Sequence, residues 1–195
     1  GALKEDEFWN GPLHPSVEAY GFSKKLQLVG QHAYYKQFGI EGNHLVLTNL
    51  YGPHDVFSEH RSHVVAAMIK KFVEADDKVT LWGDGTPVRE FLFVDDAAEA
   101  IVRALDLPHD LEPINVGTGM GIAIRDLASL IARIVGFQGD IIWDTTRPNG
   151  AQLKVLDVGR LASTLQWLPR NSLEEGLQLT IEWYRENKAA ADTRE

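Results

Sequence analysis

The run Asn43-His44-Leu45-Val46-Leu47-Thr48-Asn49-Leu50 decides the fold class of this chain. It is short, mostly apolar and partly β-branched, which predicts a buried strand. Residues 19–38, just before it, predict a helix that stops at Gly39. The apolar stripe of that helix, at spacings of four, three and four, consists of Phe22, Leu26, Val29 and Ala33. A helix that leads into a buried strand is half of a parallel α/β unit, so we expect an α/β fold.

Tyr20 and Lys24 lie four residues apart on this helix and therefore share a face. A phenol has a free pKa of about 10, and an ammonium ion about 5–6 Å away lowers that pKa by favouring the phenolate. Such a tyrosine can exchange a proton with a sugar or alcohol oxygen near neutral pH. Taken alone, Tyr-x-x-x-Lys is a weak motif, since a half-buried tyrosine beside a surface lysine explains it more often.

The rest of the chain continues the alternation of helices and short strands. Helices are predicted over 64–75, from an Asp95 cap to 107, from 124 to a stop at Gly136, from an Asp157 cap to 165, and from a Ser172–Glu175 capping box onward. Strands are predicted over 79–82, 90–94, 113–117 and 140–143. Loops are predicted over 1–15 and 145–150, and the tail after Lys188 is expected to fray.

One expected element of a nucleotide-binding domain does not occur in the sequence. A doubly wound domain starts with a strand, a Gly-rich turn and a helix. Gly117-Thr118-Gly119-Met120-Gly121 is the one Gly-rich turn that follows a predicted strand, and it lacks the Gly-x-Gly-x-x-Gly spacing. It also comes late in the chain.

Composition bounds the possible partners. The 195 residues, 44% of them apolar, correspond to one domain or parts of two, with enough apolar side chains for a sizeable core. The formal charge of −9 argues against nucleic acid or an anionic membrane as a partner. The absence of cysteine excludes a structural disulfide and favours a reducing compartment, so we expect a cytoplasmic protein. The sequence shows neither a signal peptide nor an apolar run near 18 residues.

Four motifs considered together carry a family resemblance. They are Tyr20-x-x-x-Lys24, the run Thr48–Asp55, Ser62-His63-Val64, and the run Trp82–Phe91 (Trp-Gly-Asp-Gly-Thr-Pro-Val-Arg-Glu-Phe). Together they resemble the extended short-chain dehydrogenase/reductases that act on nucleotide sugars. The run Arg89–Asp96 is common to nucleotide-sugar epimerases and dehydratases. Pro53-His54-Asp55 followed by Ser62-His63-Val64 most resembles the GDP-L-fucose synthase family, the GDP-4-keto-6-deoxymannose 3,5-epimerase/4-reductases. The resemblance covers about 3–188.

The resemblance implies that a cofactor-binding half lies upstream of these residues. Chains of this family begin with the Gly-rich dinucleotide site, and roughly a hundred residues would hold that βαβαβ half. The family's catalytic serine and the cysteine used in epimerisation belong to it. A fragment and a truncated gene both fit the sequence.

The implied catalytic roles begin with Tyr20. By resemblance, Tyr20 protonates the C4 oxygen of the sugar as hydride arrives, and Lys24 lowers the pKa of Tyr20 and binds the nicotinamide ribose. Leu47, Thr48, Asn49 and Leu50 match the stretch that touches the nicotinamide end of NADP. For Leu47 and Leu50, a role in the strand core is the alternative.

His63 matches the family's acid/base for epimerisation and a position next to the cofactor. A C4 ketone acidifies the protons at C3 and C5, and inversion needs a base on one face and an acid on the other. Imidazole, with a free pKa near 6.5, serves either role. The alternative is that His63 only caps the helix from Val64. His54 is assigned to the turn, and the remaining histidines lack paired spacing, so no metal site is expected.

Five further positions match residues that hold the GDP-sugar in the family: Lys71, Trp82, Arg89, Asn149 and Lys154. Lysine and arginine can neutralise a diphosphate, arginine with a planar fork. Their alternatives are a solvated lysine, a core tryptophan and a structural ion pair. Asn149 stands where the family often has aspartate, which leaves the nucleotide contact open, and Lys154 is the weaker phosphate candidate.

The sequence is therefore interpreted as the C-terminal part of an NADP-dependent, GDP-L-fucose synthase-like enzyme with an extended Rossmann-type fold. Residues 1–50 would be the last part of the NADP-binding domain. Residues 51–195 would mainly form the nucleotide-sugar domain, with 95–118 returning to the Rossmann sheet. We expect a GDP-sugar substrate and a homodimer through the Tyr20 helix. The alternatives are an epimerase or dehydratase of another nucleotide sugar, and a non-catalytic remnant that binds a nucleotide sugar or a partner chain.

Overall fold

The computed structural model describes residues 1–13, 15–58, 61–110 and 112–193. In these residues the α-helices, α1 to α6, span Glu18–Phe38, Val64–Glu74, Val94–Ala104, Ile124–Val135, Gly159–Leu165 and Leu173–Asp192. The strands, β1 to β8, span Leu45–Leu47, Asn49–Tyr51, Lys78–Trp82, Val88–Phe93, Ile114–Val116, Gly121–Ala123, Asp140–Asp144 and Leu153–Lys154. Short 3-10 turns cover Glu5–Glu7 and Pro15–Val17. The predicted α/β fold class is confirmed.

The run that decided the fold class forms two strands that pair with different neighbours. β1 pairs in parallel with β5, with Leu45 opposite Ile114. Beyond Thr48, β2 pairs in parallel with β4, with Asn49 opposite Phe91. The chain therefore changes partner at Thr48, and the residues around this change lie at the junction of two sheets.

β4 is the central strand of the second sheet. It pairs in parallel with β2 and β8 and antiparallel with β6. A separate parallel pair joins β3 to β7. The sequence patterns did not predict β6 and β8, because strands of three and two residues are too short for a visible alternation.

Two clusters of buried apolar side chains fill the molecule. The larger one joins α2, α4 and α6 to β3 and β4, around Phe72, Phe93, Ile131 and Tyr184. The smaller one joins α3 and α5 to β5, around Leu92, Ile114 and Leu161. The buried faces of α2, α4 and α6 contribute Phe72, Ile131 and Tyr184, and the helices predicted at these places are confirmed.

Two predicted helix caps differ from the structure. Asp95 does not cap α3, because the helix starts at Val94, with Phe93 at the cap position, two residues earlier than predicted. The neighbouring Asp96 is buried and accepts bonds from the backbone N–H groups of Arg170 and Asn171, each at 3.1 Å. Asp157 accepts from the Gly159 N–H at 2.9 Å, although Val158 occupies the cap position of α5.

The predicted loop at the start of the chain is partly paired. Leu3 forms a parallel bridge with Leu156, through bonds to Val155 and Asp157 of 2.8 Å each. Glu5 is buried and accepts the backbone N–H of Asn115 at 3.0 Å. The segment lacks periodicity because single residues, and not a continuous face, hold it in place.

The predicted fraying after Lys188 is wrong. α6 continues to Asp192, and Ala191 is buried. Asp192 accepts bonds from Lys70 and Tyr184 at 2.8 and 2.9 Å and also pairs with Lys188. These contacts lie between distant parts of the chain, so the polar composition of the tail did not reveal them.

The apolar stripe of α1 faces outward in this chain. Phe22 is 63% exposed and Leu26 is 58% exposed, while Leu28 alone among the fully described residues of α1 is buried. The C-terminal end of α1 is attached by Tyr35, which stacks on His109 with ring centroids 3.8 Å apart. Among the described helices, none is both long and apolar enough to cross a membrane.

Candidate active site

A cavity of about 550 Å³ lies where β2 ends, beside the N-terminal part of α1. The carboxyl ends of parallel strands are where α/β folds bind ligands. Its walls bring together parts of the chain that are far apart in sequence. The lining residues are Tyr20, Leu47, Thr48, Asn49, Leu50, Tyr51, Gly52, Pro53, His54, Asp55, His63, Val94 and Lys154.

Tyr20 contributes its side chain to this cavity from the first turns of α1. It is 67% exposed, so the cavity is open on this side. The Lys24 ammonium lies 5.3 Å from the centroid of the Tyr20 ring, as the four-residue spacing predicted. Lys24 stands behind Tyr20 and does not itself line the cavity.

Thr48 and Asn49 lie on the cavity wall where the chain changes from β1 to β2. The Asn49 side-chain amide donates to the Glu90 carbonyl at 2.7 Å, and the Thr48 hydroxyl donates to the same carbonyl at 3.3 Å. These bonds fix the orientation of both side chains against β4. Leu47 and Leu50 supply apolar wall on either side.

The turn after β2 brings a carboxylate to the wall. His54 has a left-handed backbone, with φ of 69°, and its ring packs on Trp183 with centroids 4.7 Å apart, which supports its assignment to the turn. Asp55 follows, and its Oδ1 accepts the N–H of Val56 at 2.7 Å. Burial raises the pKa of Asp55, while the Val56 hydrogen bond and the charge of His63 act to lower it.

His63 lies at the N-terminus of α2 and lines the same cavity. Its extended backbone, with ψ of 167°, starts the helix through its carbonyl, which accepts from Ala67 at 2.9 Å. The side chain makes no capping hydrogen bond, so the alternative that His63 serves only as a cap is not supported. The imidazole instead contributes to the cavity wall.

A second cavity of about 230 Å³ adjoins the first and shares Asn49 with it. Three of the predicted substrate residues, Trp82, Arg89 and Asn149, line it. Partial burial lowers the pKa of Arg89, and its guanidinium donates to the Val88 carbonyl at 2.8 Å. In the part of the chain that the structure describes, no carboxylate forms an ion pair with Arg89, which leaves its charge available to an anion.

Trp82 and Asn149 differ in their surroundings. Trp82 is 67% exposed, which argues against the core role considered for it, and the Arg147 guanidinium lies 5.1 Å from its ring centroid. The Asn149 side-chain oxygen accepts the N–H of Asp84 at 3.1 Å. Asn149 therefore holds the turn after β3 as well as lining the cavity.

The two remaining substrate candidates lie apart. Lys154, in β8 opposite Arg89 of β4, lines the larger cavity. Lys71 lines neither of the two cavities. Its ammonium donates to the Thr80 carbonyl at 2.8 Å, beside a third cavity of about 330 Å³. Its proposed contact with a substrate stays a prediction.

Glu90 is a buried residue whose role sequence reasoning missed. It is fully buried, and its carboxylate accepts three backbone N–H groups, from Thr118, from Gly119 at 2.8 Å and from Leu156 at 2.7 Å. Its own carbonyl anchors Thr48 and Asn49. The motif around Arg89 drew attention to this strand, but no spacing rule points to a carboxylate that binds backbone. No group of three His, Asp or Glu side chains in the described ranges is arranged to hold a metal.

Comparison with known proteins now decides the family. A model described as the NAD dependent epimerase/dehydratase family matches residues 1–117, more than half of the chain. The chain belongs to this family. The Rossmann-type fold of this epimerase family accounts for the parallel pairing of β1 with β5 that follows the Tyr20 helix.

Individual epimerase-family relatives extend over almost all of the chain. It is 42% identical over 189 residues to a putative GDP-L-fucose synthase 2 of Arabidopsis thaliana, covering 95% of this chain and 57% of the relative. It is 40% identical over 199 residues to the GDP-L-fucose synthase of Escherichia coli (strain K12), covering 95% of this chain and 62% of the relative. The chain thus spans about three fifths of the length of these relatives.

A solved structure is similar to this chain over the same extent as these relatives. A GDP-L-fucose synthetase from Naegleria fowleri, bound to NADP, superposes with a TM-score of 0.89 at 25% identity. The match covers 96% of this chain and 61% of that one.

Proposed function

We propose that this chain is the catalytic and substrate-binding part of an NADP-dependent GDP-L-fucose synthase. In this role it converts GDP-4-keto-6-deoxymannose to GDP-L-fucose. The observation that carries the proposal is the larger cavity. The phenol of Tyr20, the imidazole of His63 and the strand segment 47–50 all line this cavity. The relatives named GDP-L-fucose synthase support the choice of substrate.

The larger cavity fits the nicotinamide end of a dinucleotide. Leu47 and Leu50 offer an apolar surface for a flat ring, and Asn49 and Thr48 are fixed polar groups beside it. Lys24, behind Tyr20, would hold the adjoining ribose. When bound, NADPH supplies a hydride to C4 of the sugar.

Side chains of this chain then transfer the protons of the reaction. His63 transfers a proton at C3 or C5, where the C4 ketone has acidified the C–H bonds. Tyr20 donates its phenolic proton to the C4 oxygen, and solvent returns that proton afterwards. The ammonium of Lys24 stabilises the phenolate that forms.

The smaller cavity would hold the GDP part of the substrate. Arg89, half-buried and without a carboxylate partner in the described residues, suits a diphosphate. Trp82 presents an exposed ring face on which a base can stack. Lys154 and Lys71 are the further phosphate candidates.

We also propose the division into domains that the sequence indicated. Residues 1–50 form the end of the cofactor-binding domain, and 51–195 mainly form the sugar-nucleotide domain, with 95–118 returning to the first. The two separate clusters of buried side chains support a division into two parts, and the smaller cluster adds Leu161, Leu165 and Trp167 to the side of 95–118. A homodimer through α1 and a cytoplasmic location belong to the same proposal, and the exposed stripe of α1 supports the dimer.

A different nucleotide sugar is the second candidate, and Asn149 favours it. This residue stands where the family often has aspartate, and its side-chain oxygen is already bonded to Asp84. The contact that this position makes with the nucleotide would therefore differ from that of an aspartate.

One assay tests the proposal. A longer form of the protein, carrying the upstream residues that the relatives have, is mixed with NADPH and GDP-4-keto-6-deoxymannose. We expect NADPH oxidation with formation of GDP-L-fucose. Oxidation only with another 4-keto nucleotide sugar would establish the second candidate, and binding without any oxidation would identify a non-catalytic remnant.

A further inference from the structure

The carboxylate of Asp55 has one oxygen that the fold leaves unused. Its Oδ1 accepts the Val56 N–H at 2.7 Å, which fixes the direction of the side chain. Its Oδ2 is buried and has no hydrogen-bond partner in the part of the chain that the structure describes. A buried acceptor without a partner is costly, so its retention calls for a reason.

His63 is the cavity residue whose positive charge the Asp55 carboxylate can stabilise. Both side chains line the larger cavity, and the charge of His63 acts on the Asp55 carboxyl. The other ionisable side chains on the described wall are Tyr20 from α1, Tyr51 from β2, His54 from the turn and Lys154 from β8. None of these is a carboxylate, so Asp55 alone among them can stabilise a positive imidazolium.

We propose that Asp55 is a positioning residue for His63, which it orients in the cavity and stabilises in the protonated form. The proposal rests on the epimerase function proposed above. A carboxylate on one ring nitrogen fixes the tautomer and turns the other nitrogen to the substrate.

The epimerisation step takes a proton from His63, so the His63 ring must be protonated before the step. A general base on the opposite face of the sugar removes the original proton at C3 or C5, leaving an enolate. A C–H bond then forms on the His63 face as an N–H bond of the imidazolium breaks, and the ring becomes neutral. Solvent returns the proton to the ring. Asp55 stays ionised throughout and exchanges no proton.

The first test needs no substrate and uses the 195-residue chain. The ring C–H resonance of His63 is followed by NMR through a pH titration in four proteins: wild type, Asp55→Asn, Asp55→Glu and Asp140→Asn. Asp140 is an exposed carboxylate at the start of β7, outside the cavity. The dispersion of the spectrum reports whether each variant is folded.

A nearby carboxylate favours the charged ring, so its removal lowers the pH midpoint of the titration. We expect a fall of about half a unit to one unit for Asp55→Asn, which is typical of a partly solvated charge pair. Asp55→Glu keeps the charge and should retain most of the midpoint, and Asp140→Asn should leave it unchanged. An unchanged midpoint in folded Asp55→Asn overturns the proposal.

The second test separates this proposal from the function on which it rests. In the longer form, deuterium entry at C3 and C5 is measured against pH. A step that uses protonated His63 slows as pH rises, and Asp55→Asn should move this loss to lower pH by the same interval as the NMR midpoint. A profile that does not move overturns the positioning role. A shifted midpoint with no deuterium entry even in the wild type overturns the epimerase function, and the catalytic role of Asp55 with it.

Discussion

The buried carboxylate of Glu90 joins β4 to two other backbone segments beside the two cavities. It accepts N–H groups from the turn at Thr118 and Gly119 and from Leu156, while its carbonyl anchors Asn49. A carboxylate suits this position because it has only acceptors to offer to three donors. The residue thus stabilises the fold at the point where both cavities meet.

Glu90→Gln tests this role at the scale of one residue. The amide NH2 must face at least one of the three backbone donors, which leaves a buried N–H without an acceptor. We expect a loss of about 1–3 kcal/mol in the free energy of unfolding, measured by urea denaturation. Glu99→Gln is the matched control, since Glu99 pairs with Arg103 on the helix surface, and its loss should stay below about 0.5 kcal/mol. Equal losses in the two variants would contradict the role of Glu90.

At the scale of an element, the end of α6 is held by an ionic network. Asp192 bonds to Lys70, Tyr184 and Lys188. Burial raises the pKa of Asp192, but the hydrogen bonds from Lys188, Lys70 and Tyr184 outweigh it and lower the pKa to about 2. The carboxylate therefore stabilises the fold above its unfolded pKa of about 4, and this contribution is lost as pH falls toward 2.

Asp192→Asn should reduce the free energy of unfolding at pH 7 by about 1–2 kcal/mol, because it removes a charge from several hydrogen bonds. The difference from wild type should shrink between about pH 4 and pH 2, where the wild-type carboxylate takes up its proton. Asp140→Asn, in an exposed position at the start of β7, should show neither effect. A difference that stays constant down to pH 2 would rule out the charge as the cause.

The exposed apolar stripe of α1 is expected to promote association of this chain with a second chain. Phe22 and Leu26 face solvent, and β1 pairs on one side only in the described residues. Exposed apolar surface and an open strand edge both favour contact with another chain. We expect the 195-residue chain to sediment as a dimer or larger species, and Phe22→Glu with Leu26→Glu to reduce that species. Leu179→Glu, an exposed position on α6, is the control. A wild-type monomer at high concentration would refute this.

At the scale of the whole molecule, we expect this chain alone to have a low affinity for a dinucleotide. The pyrophosphate of a dinucleotide binds at a Gly-rich turn and the following helix N-terminus. In the proposed function, the described residues contribute only to the site of the nicotinamide end. We expect this chain alone to bind NADPH with a Kd no tighter than about the millimolar range. A micromolar constant by calorimetric titration would contradict that expectation.

The sequence predicted the fold where side chains repeat with a period. The helices α2, α4 and α6 were predicted from their periodicity. The apolar run 43–50 was predicted as one buried strand, but it belongs to two short parallel strands, β1 and β2, that are mostly only partly buried. The structure added what single contacts determine. The two-residue strand β8, the bridge at Leu3 and the ordered end at Asp192 depend on partners far away in sequence.

The residues of the candidate site likewise fall into two groups: those that the sequence predicted and those that only the structure identified. Motif resemblance selected Tyr20, His63 and the 47–50 segment, and the structure brings them to one cavity. Asp55 and Glu90 lie inside quoted motifs, but their roles depend on which atoms remain unpaired or buried after folding. No pattern of residue types contains that information. Lys71, selected by position alone, lies beside another cavity.

The central claim is that His63 serves epimerisation and Tyr20 serves reduction. The direct test compares His63→Asn and Tyr20→Phe in the longer form, measuring deuterium entry at C3 and C5 alongside NADPH oxidation. His63→Asn should slow deuterium entry by about 10²–10⁴-fold, the contribution of a positioned acid or base. Tyr20→Phe should leave deuterium entry largely intact while NADPH oxidation falls by a comparable factor. Deuterium entry at the wild-type rate in His63→Asn would contradict the account.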